Sequence, residues 1–269
     1  MQSVQTESSP FFISLTDSIV ETDASPDQFT LLVDEPHPLC RLAIEDLQHY
    51  LRHQQEWNHN FGLSSIKQEG VVIGKMFGVL VVKTRQNEVG YLAAFSGKMA
   101  GGNHHSRFVP PVFDGLTPHG FLNEGMQQLN GINAEVNELI MLKSDGHAER
   151  IKLLKTKRKA LSAVLQKELF DHYSFLNRAG EEKSLNEIFQ EALQRNPPSG
   201  AGECAAPKLL QYAFQHQMKP LALAEFWWGQ SPKSEFWKHG HFYPCCKEKC
   251  EPILAHMLHE VNDTGMDKT

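Results

Sequence analysis

Apolar positions along this 269-residue chain recur first at helical spacing, then in unbroken runs, then at helical spacing again. From Pro38 to about Asn58, Leu39, Leu42, Ile44, Leu47, Tyr50, Leu51 and Trp57 predict an amphipathic helix packed on a sheet. The β-rich runs 74–84 and 89–95, joined by Arg85-Gln-Asn-Glu88, predict an antiparallel hairpin. Both runs are almost wholly apolar, so both sheet faces should be covered. A long loop follows, from Ser96 to His119, and loops of that length usually carry function or move.

Residues 121–142 and 147–175 are both helical in pattern, with narrow stripes made by Leu129, Ile132, Val136 and Ile140 and by Ile151, Leu154, Leu161, Leu165 and Leu169. A short break at Ser144-Asp-Gly-His147 between two such stripes predicts a long antiparallel helical hairpin. A helix over 184–195 precedes the linker Asn196-Pro-Pro-Ser-Gly-Ala-Gly202. A helix over 204–216, a buried strand over 220–228 and a helix over about 247–259 complete the reading. The fold class expected is α+β: a small mixed sheet with packed helices and an inserted hairpin. Its parts are an extended arm (1–36, with one short strand at Phe29–Val33), two portions of the core (37–120 and 179–261), the hairpin (121–178) and a frayed tail (262–269).

Composition narrows the chemistry. Hydrophobic content of 41% and charged content of 22% are those of a globular protein large enough to bury a core. A net charge of -6 means that any nucleic-acid contact must come from a local patch. No run approaches the length of a membrane helix, and the N-terminus has no signal-peptide pattern. Three of the five cysteines crowd into Cys245, Cys246 and Cys250, a poor disulfide framework that suits a reducing cytoplasm or a metal.

Cys204 opens a helix, and about forty residues later Pro244 precedes Cys245, Cys246 and Cys250. Cys204, Cys246 and Cys250 are candidate zinc ligands, with His241 as the fourth and Cys245 or His239 as substitutes. The plain alternative is a small buried cysteine and three reduced thiols. The order resembles the metal site of zinc-dependent nucleobase deaminases, in which a Glu two residues after the first ligand moves protons. Here that position is Ala206, and neither Glu203 nor Glu225 takes its place in the pattern. A structural zinc is therefore expected rather than a catalytic one.

Arg150, Lys152, Lys155, Lys157, Arg158 and Lys159 place six cations in ten residues without an acid. Such a run can grip RNA phosphates, though a solvated helix face explains many charge runs.

Several ungapped stretches together resemble one known arrangement. They are Gly90-Tyr-Leu-Ala-Ala-Phe-Ser-Gly-Lys98, Phe108-Val-Pro-Pro-Val-Phe-Asp114, Cys204-Ala-Ala-Pro-Lys-Leu-Leu210, Leu221-Ala-Leu-Ala-Glu-Phe-Trp-Trp-Gly229, His239-Gly-His-Phe-Tyr-Pro-Cys-Cys246 and Lys249-Cys-Glu-Pro-Ile-Leu254. Over residues 74–257 they are similar to the N-terminal extension of bacterial RluA-type pseudouridine synthases. The resemblance implies partnership with a synthase catalytic domain and with rRNA or tRNA, and no isomerase chemistry here. The family's catalytic His-Arg-Leu-Asp motif is absent, and His37-Pro-Leu-Cys-Arg-Leu42 lacks the Asp. The chain ends near where such a domain would begin. A diverged deaminase, or an interaction module dimerising through the hairpin, is the alternative.

Overall fold

The computed structural model describes residues 9–15, 29–31, 35–64, 70–115, 117, 120–142, 145–231 and 236–259. The tail expected at 262–269, the end of the strand expected at 29–33, and His119 lie outside them. The described chain is an α+β fold, as its alternation of helical and continuous apolar patterns implies.

Strands β1 (Ile13–Ser14), β2 (Thr30–Leu31), β3 (Lys75–Lys83), β4 (Val89–Phe95), β7 (Lys219–Trp228) and β8 (Phe242–Tyr243) form one mixed sheet. Its order is β1-β4-β3-β7-β2, with β8 also on β7. The two central partnerships are antiparallel, with Leu80 opposite Leu92 on one side and Leu223 on the other. The outer edge of β7 is shared by two short strands. β2 runs parallel to it at Ala222 and Leu223, and β8 antiparallel at Glu225 and Phe226. Both are two-residue pieces, and β2, from the N-terminal arm, lies within the strand expected at 29–33.

Both faces of the sheet are covered, which explains why β3 and β4 read as continuous apolar runs. Helix α1 (Pro38–His53) lays Leu39, Ile44, Leu47 and Leu51 over Phe77, Val79, Val81 and Phe226. The opposite face, with Leu80, Val82, Leu92 and Leu223, takes α4 (Leu185–Leu193), α5 (Ala205–Gln215) and α6 (Glu251–Met257). Gly78 lets α5 come close: a Cβ there would stand 2.9 Å from the Ala205 Cβ. Helix α4 begins on a capping box, Ser184 accepting from the Glu187 N–H while Glu187 reaches back to the Ser184 N–H. Helix α6 starts at Glu251, later than its periodicity predicts. Residues 247–250 form a turn, and Pro252 fits only the first helical turn.

Helices α2 (Phe121–Met141) and α3 (Ala148–His172) pack against each other through Ile132, Val136 and Leu154. Gly125 faces Leu165, Asn133 meets Arg158, and Glu135 meets Arg150. The partner numbers run in opposite directions, so the two helices are antiparallel. After α3, the strands β5 (Ser174–Leu176) and β6 (Glu182–Ser184) pair as a separate ribbon.

Candidate metal centre and its surroundings

The turn at Asn196–Gly202 delivers Cys204 to the start of α5, and Gly202 is needed there. Its φ is +85°, and a Cβ would stand 2.8 Å from the Tyr173 ring. Cys204 is the N-cap, with no side-chain hydrogen bond to the helix. Cys246 and Cys250 lie at the two ends of one turn, the Cys250 N–H donating to the Cys246 carbonyl at 3.0 Å. Residues four apart in such a turn face the same way.

The sulfurs of Cys204, Cys246 and Cys250 all lie within 4.8 Å of one another, and those of Cys246 and Cys250 are 3.3 Å apart. Sulfurs around a tetrahedral ion with Zn-type bond lengths stand about 3.8 Å apart. Three close cysteines at this spacing could hold a metal ion. Contacts with the Cys204 and Cys250 thiols push the Cys246 thiol below its ordinary value. The Cys204 thiol is pushed up by its contact with Cys246, and the Cys250 thiol by its contacts with Cys204 and Cys246, with burial adding to both.

The remaining sequence candidates separate from this group. His241 is exposed and is not one of the mutually close ligands. Its backbone carbonyl accepts from the Trp227 N–H at 3.0 Å. His239 accepts from the Gly229 N–H through Nδ1 at 3.1 Å. Cys245 lies close by but turns its thiol to the Glu225 carboxylate. Cys40 is on the buried side of α1, over the other sheet face, its thiol pushed up to about 12 by burial.

Two buried charges flank the cysteines, and sequence reading passed over how each is held. Glu225, on β7, is 5% exposed and accepts from the Ala206 N–H at 3.2 Å. It caps α5 from the neighbouring strand, where Cys204 provides no side-chain cap. Burial pushes its carboxyl up to about 7, against the lowering effect of the Cys245 and Ala206 hydrogen bonds. Lys208, 4% exposed, donates to the carbonyls of Phe95 (2.9 Å) and Gly97 (3.3 Å) and lies over the Phe95 ring. Burial lowers it to about 8, with Glu203 acting the other way. The one signal for Lys208 was its place among Ala, Pro and Leu in an otherwise apolar helix start.

The basic run divides into two sets. Arg150 pairs with Glu135 at 2.6 Å, and Arg158 donates to Asn133 at 3.0 Å, so both guanidinium groups turn to α2. Lys152, Lys155 and Lys159 line one open groove with Ile140, Ala148, Ile151 and Thr156. These three and Lys157 are exposed and have no ion-pair partner among the described residues. The aromatics Tyr173, Phe175, Phe226 and Trp228 belong to the core and do not offer faces to a bound strand.

The protein families, the curated proteins and the solved structures with which the chain was compared contain no match to it.

Proposed function

We propose that this chain is an accessory, RNA-positioning region of an RluA-type pseudouridine synthase, with no isomerase chemistry of its own. In this reading Cys204, Cys246 and Cys250 hold a structural zinc that ties the starts of α5 and α6 to β7. The α2–α3 pair then presents cations to rRNA or tRNA phosphates. The observation that carries it is the groove of Lys152, Lys155 and Lys159. Three exposed ammonium groups on one helix face, with no ion-pair partner among the described residues, make a local positive patch that an anion can meet.

The test is RNA binding by the chain across a salt series. Three phosphate contacts on a single strand give a log–log slope of about -2. A flat response, or no binding at low salt, overturns the reading.

One observation favours a second reading, a diverged deaminase: the buried carboxylate of Glu225 stands beside the thiols although Ala206 occupies the proton-transfer position. Against it, Glu225 is sealed from solvent. Ammonia release from a nucleoside or an RNA by the zinc-loaded chain would establish it.

A further inference from the structure

The sulfurs of Cys246 and Cys250, 3.3 Å apart, stand closer than the roughly 3.8 Å that two thiolates keep around a tetrahedral zinc. A disulfide bond is about 2.05 Å long, so an approach of about 1.3 Å would join them. The Cys250 N–H already donates to the Cys246 carbonyl at 3.0 Å, so both cysteines share one turn and no other element has to move. Cys204 belongs to a different element, α5, whose start is held by Glu225 and packed on Gly78 of the sheet.

The three sulfurs differ in access. Cys246 is exposed, Cys204 is half-buried and Cys250 is buried. An oxidant arriving from solvent therefore meets Cys246 first, and the Cys250 sulfur stands directly behind it. Cys245 turns its thiol to Glu225, and Cys40 lies over the other sheet face. Cys204 and Cys250 are thus the thiols gathered around Cys246, and Cys250 is the one in its own turn.

We infer that Cys246 is a modification site for peroxides, with Cys250 as the thiol that closes a disulfide onto it. The Cys246 thiolate attacks one oxygen of hydrogen peroxide. An S–O bond forms as the O–O bond breaks, and the departing hydroxide takes a proton and leaves as water. The Cys250 thiolate then attacks the sulfenic sulfur, an S–S bond forms as the S–O bond breaks, and a second water departs. The sulfur pair gives up two electrons, and they reduce the peroxide to water. Two of the three clustered cysteines are then lost to a metal, and α5 is no longer tied to the turn before α6. That consequence rests on the structural-zinc reading; the disulfide itself does not.

The experiment treats the zinc-loaded full chain with a small excess of hydrogen peroxide, follows released zinc with a coloured chelator, and digests the alkylated product with trypsin. Trypsin cuts after Lys247 and Lys249, so Cys246 and Cys250 fall on separate peptides that only a disulfide joins. The joined pair should appear with release of about one zinc per disulfide, and dithiothreitol should separate it and restore zinc uptake. Cys245→Ser should keep both results, and Cys246→Ser should lose the joined pair. Cys204→Ser should fail to hold zinc yet still give the joined pair. Absence of the pair from the oxidised chain, a link from Cys204 to Cys246 in its place, or oxidation that dithiothreitol does not reverse overturns the inference. A chain that takes up no zinc but yields the joined pair sinks the structural-zinc reading alone.

Discussion

Glu225 on β7 accepts the Ala206 N–H of α5, so a strand carboxylate caps a helix whose own N-cap, Cys204, has no side-chain hydrogen bond to it. The same position, Ala206, is where a hydrolytic site of this cysteine pattern would place its glutamate. The carboxylate is therefore near the thiols, but it is engaged in holding the helix.

That engagement has a pH signature. The folded carboxyl is raised from 4.5 to about 7 by burial, so the native state binds an extra proton between those values. Stability from this group is then greatest below about pH 4.5 and falls as pH rises to about 7, by roughly 3 kcal/mol. Urea melts of the metal-free chain at pH 5 and pH 7.5, beside Glu225→Gln, isolate the effect. The variant should show the smaller loss over this window. Glu225→Ala should cost about 1–3 kcal/mol at either pH, because the Ala206 N–H is left buried and unpaired.

Metal binding by Cys204, Cys246 and Cys250 should stabilise the fold by about 2.7 kcal/mol when free zinc is a hundredfold above its Kd. Cys250→Ala should lose the metal, and Cys40→Ala and His241→Ala should keep it. Because Cys204 and Cys250 hold their protons tightly, zinc affinity should fall steeply as pH is lowered. Metal analysis after dialysis, with melts before and after a chelator, checks each statement. Loss of metal in His241→Ala would restore the ligand set that spacing alone suggested.

The site was legible where chemistry follows local spacing and obscure where it follows tertiary contact. Cys246 and Cys250 are four apart in a turn, and Cys204 opens a helix after a Gly-rich linker, so the three thiols could be grouped from sequence. His241 has equal metal-binding ability, but β8 pairing with β7 leaves it exposed. The long strands β3, β4 and β7 declared themselves through continuous apolar residues. Strand β2 falls within the apolar run at Phe29–Val33, whereas β1 and β8, two residues each, exist because a partner is nearby, which no local pattern encodes. Within the basic run, Arg158 and Lys155 look alike in sequence. Only the packing of α2 shows that one is bonded to Asn133 and the other is open.

Two glycines should respond oppositely to the same substitution. At Gly78 a Cβ would meet the Ala205 Cβ at 2.9 Å and Leu209 Cδ1 at 3.1 Å, so α5 must move off the sheet. Gly78→Ala should cost about 1–3 kcal/mol and weaken metal binding, since Cys204 moves with α5. At Gly131, inside α2, a Cβ meets nothing within 4 Å, and Gly131→Ala should stabilise by about 1 kcal/mol through helix propensity. Thermal melts of the two variants with and without zinc distinguish a positioning role for Gly78 from a general loss of stability.

The division of the basic run predicts two kinds of charge-reversal phenotype. Changing Lys152, Lys155 and Lys159 to Glu removes cations with no ion-pair partner among the described residues. RNA affinity should drop for every sequence, and the salt slope should shrink by about 2. Stability should stay within about 0.5 kcal/mol, because exposed side chains are altered. Arg150→Glu instead breaks the Glu135 pair and sets two acids against each other across the α2–α3 contact. Exposed pairs contribute little, about 0.2–1 kcal/mol, so the variant should be slightly less stable. Its salt slope should change by less than that of the lysine variant. Filter binding over a salt series, with melts of both proteins, separates the two. Equal slopes in the lysine variant and the unaltered chain would mean that these three ammonium groups do not touch RNA.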